Sequence, residues 1–396
     1  MPAPQSDTVT FKKFAGIRNT VSPERFGLED LVSAVNFDID ETGRLKRRNG
    51  YSLAAAASGA HSLYANGELA LYVQSTSLKR LATDYSATTL RTVTTGKKMS
   101  YTTVIGRTYF SNGTDTGVVE NGSARTWGLV PPTSIGAAAS TPGGLLPAGT
   151  YQWTVTYLRG DGQESGALMT GVVVLTEYAG VAFSALPVSS DPDAAYKIIY
   201  ITPTNSEVLY EAAVVTNATT STTYMGSGVE FARPLETWLC QQAPAGQCVS
   251  YFRGQTLVAS GSGLYPSQPY AYELFDLRKY FDFESEITLL APMENGLFVC
   301  TQTHHYWLPG LSPTDWAQQT KAEHGAILGS LVYTEGKNVG EGIPGLAALW
   351  LSREGVCVGA NDGQFRVLSA DRMNANISRA SGASIVINDR VISTAE

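Results

Sequence analysis

The sequence predicts an all-β chain, with a β-propeller-like domain interrupted by an immunoglobulin/fibronectin-like β-sandwich insert. Three observations lead there. Turn dipeptides recur throughout, with Asn-Gly beginning at Asn49, Asn66, Asn112, Asn121 and Asn295 and Asp-Gly at Asp161 and Asp362. Both pairs accept the positive φ of type I′ turns, whose twist matches a hairpin. Short β-rich runs surround them at residues 68–74, 101–110, 296–302 and 346–351. Helical periodicity is scarce, and only residues 22–36 and 274–280 offer short helical candidates.

A recurring unit runs through the chain: an apolar strand, a tight turn, then a strand ending in an aromatic. Instances begin at His61, Met99, Cys248, Leu289 and Pro344, and an incomplete last one begins at Ile377. Repetition at ~40–50 residues is the period of a propeller blade, whose sheet must cover its faces with its neighbours. Between the second and third units, residues 131–144 form a Pro/Gly/Ala/Ser-rich linker. Tyr151, Trp153, Val155 and Tyr157 then alternate with period two, and Arg159 to Gly162 closes a hairpin. Further strands are expected at 181–186, 196–202, 207–215 and 219–225, the density of a sandwich. The boundaries that follow are 1–135 for the first part of the propeller, 136–235 for the sandwich and 236–396 for the second part.

Composition narrows the function. Hydrophobic residues are 43% and charged residues 16% of the chain. The usual charged share is ~25%, so neutral-polar surface is expected to be hidden in sheet or against copies of the chain. A net charge of -7 argues against gripping nucleic acid through a broad basic face. No apolar run reaches ~18 residues and the first fourteen positions lack an apolar core, so neither a membrane-spanning segment nor a signal peptide is expected. Cys240, Cys248, Cys300 and Cys357 form no CxxC pair and are read as buried free thiols of a protein made in a reducing cytosol.

Searches for chemistry return bland readings. The histidines are His61, His304, His305 and His324. Neighbours on a strand face opposite ways, so His304 and His305 cannot clamp one metal together. The acids of residues 281–286 and 27–31 are read as solvated loop carboxylates rather than a glycosidase pair. Asp38, Asp40, Thr42 and Gly43 imitate the start of a calcium loop, but Asn49 stands where its bidentate Glu belongs, so a hairpin turn is expected. Arg159-Gly160-Asp161 spells an integrin motif and is read as a polar hairpin tip. The basic run Arg44, Lys46, Arg47 and Arg48 is read as a solvated strand edge, with contact to DNA or an acidic partner the minority reading. No catalytic, cofactor-binding or metal residue is assigned, no cofactor is called for, and the chain is not expected to be an enzyme.

The block from Phe14 onward is informative in another way. Asn36, Phe37, Asp38, Gly43, Leu45, Arg48, Gly50 and Tyr51 fit an N-hydrophobic-D…G-x-L-x-x-R-x-G pattern, and residues 253–276 and 346–369 look like later blades of the same kind. In these features the chain resembles the tail nozzle or tail hub proteins of short-tailed (podovirus-type) bacteriophages. The resemblance implies a structural virion protein that assembles in the host cytoplasm as a homo-oligomeric ring, a hexamer favoured. It implies contacts with the adaptor at the head–tail connector and with tail fibres or spikes. Genomic DNA would pass through the ring without specific binding. The chain is short for a nozzle, so hub and fibre-attachment roles fit too. The alternative is a carbohydrate-binding propeller for host recognition, against which Trp153, Trp307 and Trp350 sit at core-like positions.

Overall fold

Turn chemistry and strand alternation produce a chain of small antiparallel sheets. The structure, a computed structural model, describes residues 13–40, 42–50, 52–340, 342–373, 380–387 and 390–395. Five sheets of four strands follow the chain in strict up-and-down order. Blade one is Ala60–Ala65, Ala70–Gln74, Ser77–Leu81 and Ala87–Thr92. Blade two is Ser100–Val104, Arg107–Ser111, Thr116–Glu120 and Ser123–Arg125. Blade three is Cys248–Phe252, Gln255–Ser260, Gly263–Pro266 and Phe281–Asp282. Blade four is Ile287–Met293, Gly296–Thr301, His305–Pro309 and Gln319–Ala322, and blade five is Val332–Glu335, Leu346–Ser352, Gly355–Ala360 and Phe365–Val367.

The first strands of the blades gather around a common axis. Tyr64 of blade one stacks on Tyr101 of blade two with centroids 5.1 Å apart. The Ser100 hydroxyl of blade two accepts the Val249 N–H of blade three at 3.0 Å. The Tyr333 hydroxyl of blade five donates to the Pro292 carbonyl of blade four at 3.2 Å. This is the propeller-like arrangement the repeats predict. A sixth sector is shared by the chain ends. The hairpin Gly382–Ile387/Arg390–Ala395 follows blade five, and Gly382 N–H donates to Leu328 C=O at 2.7 Å. The hairpin Phe37–Ile39/Leu45–Arg47 meets it through Arg390 and Asp38 at 2.6 Å. Arg372 adds a pair with Asp30 at 2.7 Å.

Between blades two and three lies the sandwich. One sheet has the order Gly171–Leu175, Gly149–Arg159, Ala194–Ile201, Tyr210–Thr216, and the other Ala137–Leu146, Ala179–Ser184, Thr222–Tyr224. Tyr151, Trp153 and Val155 point inward, as the alternation predicts, and meet Phe183, Ile199 and Ile201. The opposite face of this strand is also buried, because the segments around Glu164 and Arg233 lie across it: Thr154 and Thr156 are fully covered.

Several sequence expectations need correction. Neither helical candidate is helical. Residues 22–36 hold a 3-10 turn at Pro23–Arg25 and a strand, Asp30–Leu31, paired with Gly16–Ile17. The Asp30 carboxylate accepts Gly27 N–H and the Arg18 guanidinium, which pins the chain in a form no short helix can rival. Residues 274–280 form turns, because Phe275 exchanges two backbone hydrogen bonds with Gln241 and Asp276 accepts the Arg278 N–H. The linker at 131–144 is in large part a strand: Ala137–Leu146 pairs with Ala179–Ser184, and Pro142 falls in its bulge between Thr141 and Leu146. The run 101–110 is two strands joined at Ile105-Gly106, with φ of 47° and 73°. Arg253-Gly254 makes the same turn, so glycine in second place suffices and the first residue bears an αL cost of about 1–2 kcal/mol. Tyr51 and the start of the last repeat at Ile377 lie outside the described residues.

Candidate functional site

The convergence of the blades leaves an axial cavity of about 580 Å³. Its walls come from the first strands and the loops before them, with Tyr64, Tyr101, Thr103, Ser250, Tyr251 and Tyr333 among the polar groups. Among the described residues, Lys98 is the only charged side chain lining it. Hydroxyls and rings at this spacing can hydrogen-bond and stack, but they supply no carboxylate pair for acid–base work.

Several carboxylates elsewhere are spent on structure. Glu284, in the acidic run read as solvated, accepts hydrogen bonds from the hydroxyls of Thr301, Thr303 and Tyr306 at 2.5, 2.6 and 2.6 Å. His304 Nδ1 stands 3.1 Å away. Burial pushes the Glu284 pKa up, but the donated hydrogen bonds outweigh it and hold the group at about 2. Asp40 accepts the Thr42 hydroxyl and the backbone N–H groups of Thr42 and Arg44, the hairpin turn expected there. Arg48, in the basic run, pairs with Asp38 at 2.7 Å, and the same aspartate takes Arg390. Buried Lys197 donates to the carbonyls of Pro187 and Thr219.

A charge network fastens the sandwich to the propeller. Glu273, 1% exposed in the long third-to-fourth-strand connection of blade three, receives Arg125 of blade two through two nitrogens at 2.7 and 2.8 Å. Arg159 of the sandwich reaches it at 3.0 Å and Gly128 N–H at 3.1 Å. Asp161 binds Arg159 and also Arg107 of blade two, which pairs in turn with Glu120. Burial lowers the Arg125 pKa, and Glu273 more than restores it, so the guanidinium stays charged. The Arg-Gly-Asp tip is therefore polar, as read, but it is plugged into the propeller: Arg159 is buried and committed to two carboxylates.

The histidines separate as the strand rule requires. His304 turns to Glu284, while His305 is fully buried between blades four and five. Trp350 Nε1–H donates to His305 Nε2 at 2.8 Å, and His324 contacts the same ring edge-on at 4.6 Å between centroids. Burial, then His324, push the His305 pKa down to about 3, and burial lowers His324 as well. Cys357 completes the group from blade five. Residue spacing carried no sign of this cluster, whose members are joined only by blade packing. Its sole local signal was aromatic alternation around His305. His61 bonds the Ser62 hydroxyl in blade one. All four cysteines are free and buried, as the sequence suggested; burial raises Cys248 and Cys357 to about 12. No helix among the described residues is long and apolar enough to cross a membrane.

No family model matches this chain, and no curated protein does. The solved structures that the chain matches share little sequence with it. The computationally designed Ika8 protein is 11% identical over 87% of this chain and 95% of its own, with a TM-score of 0.28. The AfRom2 CNH domain is 9% identical over 81% of this chain and 84% of its own, with a TM-score of 0.26. Sqt1 of Saccharomyces cerevisiae is 12% identical over 73% of this chain and 92% of its own, with a TM-score of 0.23, and at such distances none of these likenesses bears on function.

Proposed function

We propose that this chain is a structural, non-catalytic component of a phage tail: a nozzle, hub or fibre-attachment protein that assembles as a ring through which DNA passes. One observation carries the reading: the buried carboxylate of Glu273 is consumed in fastening parts together, while the axial cavity is lined, among the described residues, by hydroxyls, rings, aliphatic side chains and one lysine. Such a molecule is suited to being a fixed part. The surface of the sandwich supports a place among neighbours. Its edge strand Gly171–Leu175 shows Val172 and Val174 to solvent, 62% and 59% exposed, and Phe231, in the 3-10 turn Val229–Phe231, stands 89% exposed. Free edges are usually blunted with charge, so an apolar edge is consistent with cover by another subunit.

In this reading the DNA path is the bore of the ring and not the cavity within one chain. The net charge of -7 suits a wall that lets phosphates slide. The adaptor above and fibres or spikes to the side are the partners, and the virion tail is the location. Native mass spectrometry and negative-stain microscopy of the purified chain test it. A closed ring, six copies favoured, is the expected result; a monomer at high concentration, alone and with adaptor, counts against it. A second reading, glycan recognition, draws on the tyrosines and hydroxyls of the axial cavity. Glycan-array binding that is lost in Tyr101→Ala would favour it.

A further inference from the structure

We propose that His305, His324 and Cys357 form a binding site for a thiophilic d10 cation, zinc in the first instance, that ties blade four to blade five. The site stands on geometry independent of the tail assignment. One ligand atom from each residue lies within 4.8 Å of the other two. Around tetrahedral zinc, bonds of ~2.0–2.3 Å place such atoms about 3.3–3.6 Å apart, so closure by about an ångström completes the set. Two imidazoles and a thiolate without a carboxylate select zinc or copper(I) over calcium or magnesium.

The surroundings favour ligation. Among the described residues, the buried His324 Nδ1 has no hydrogen-bond partner. Native interiors rarely leave such atoms, and a missing ion is one of the standard reasons. Trp350 Nε1–H already donates to His305 Nε2, which puts the ring proton on Nδ1 and the lone pair on Nε2. The indole proton thus stands where a cation would stand. Trp350 and Cys357 are register partners on adjacent strands, so metal entry and release of the indole N–H from His305 fall on one strand pair. The thiol proton, now held near the Ser352 hydroxyl at 3.3 Å, leaves to solvent as the thiolate binds. His324 is only partly buried and gives the ion a way in.

The test uses the full chain, stripped with a chelator and titrated with Zn²⁺ alone against a chromophoric competitor. Expected are one equivalent per chain, a change in tryptophan fluorescence, a rise in melting temperature, and thiolate charge-transfer absorption when Co²⁺ replaces zinc. His324→Gln and Cys357→Ser should each weaken binding roughly tenfold or more, whereas Cys248→Ser, a buried thiol of blade three, should not. Absence of uptake by the folded chain overturns the site. So does uptake of equal affinity in a folded His324→Gln chain, a replacement at the least buried ligand, or cobalt absorption that survives Cys357→Ser.

Discussion

Where the sandwich meets the propeller, Arg107, Arg125 and Arg159 surround Glu273, Glu120 and Asp161. Where blade four meets blade five, Phe298 packs between Trp307 and Trp350 at 4.6 and 5.6 Å, over Cys300 and Cys357. Gly359 is part of that fit, since a Cβ there would come within 2.5 Å of the Phe298 ring. The aromatic junction is buried and the charged one is buried at Glu273 and Arg159 and half-open at its edge, and they do different work. The aromatic contact is cohesive and non-directional, as suits one blade against the next. The charged junction is directional: a bidentate carboxylate and a fixed hairpin tip admit one docking angle. A buried ion network is a weak source of net stability but a strong penalty on any arrangement that leaves a member unpaired. The propeller is therefore held by packing, and the sandwich is aimed by electrostatics.

Breaking the charged junction should have the largest effect. Glu273→Ala removes the buried carboxylate that Arg125 and Arg159 share, leaving Arg125 only Glu120 and Arg159 only Asp161, and is expected to cost about 3–5 kcal/mol in chemical denaturation. It should also open the flanks of the sandwich to protease while leaving the sandwich core folded, which separates aiming from cohesion. Phe298→Ala should cost a comparable ~3–5 kcal/mol by cavity formation, with its loss confined to the propeller and the sandwich docking undisturbed. If both variants gave the same protease pattern, the division of labour would be wrong.

Acid sharpens the contrast by acting on carboxylates alone. Glu284 and Asp161 both titrate at about 2 in the folded chain; burial raises each, and hydrogen bonds, from Thr301 and Arg159 in the first place, more than offset it. Their contribution is present above the ordinary carboxylate range of ~4 and is lost as pH falls toward 2, because the unfolded chain takes up protons first. Melting temperature followed from pH 5 to pH 2 should drop, and Glu284→Gln should flatten part of the drop. The smallest effect is expected at the chain-end seam. Arg390→Ala removes one exposed partner of Asp38, which keeps Arg48. Its melting temperature should differ from wild type only at low salt.

The blades were legible because each is a local object. Strand alternation, a turn residue and the next strand sit within about a dozen positions, so Tyr151, Trp153 and Val155 announced their shared face. The misreadings fall where distant residues decided. Asp30 and Phe275 were recruited by Arg372 and Gln241, far away in the sequence, and helix-like spacing yielded to those contacts. Ala137 to Leu146 looked like a linker because small residues make poor strands alone; pairing with Ala179–Ser184 supplies what propensity lacks.

By itself the sequence determined that this protein is all-β, repetitive and split by a sandwich, since hydrophobic period and turn chemistry are properties of neighbouring residues. Only the tertiary structure decided which charges meet at Glu273, that the Arg159–Asp161 tip is plugged rather than presented, and that His305, His324 and Cys357 converge. Those contacts join residues far apart in the chain, and the packing of whole sheets, not any local pattern, brings them together.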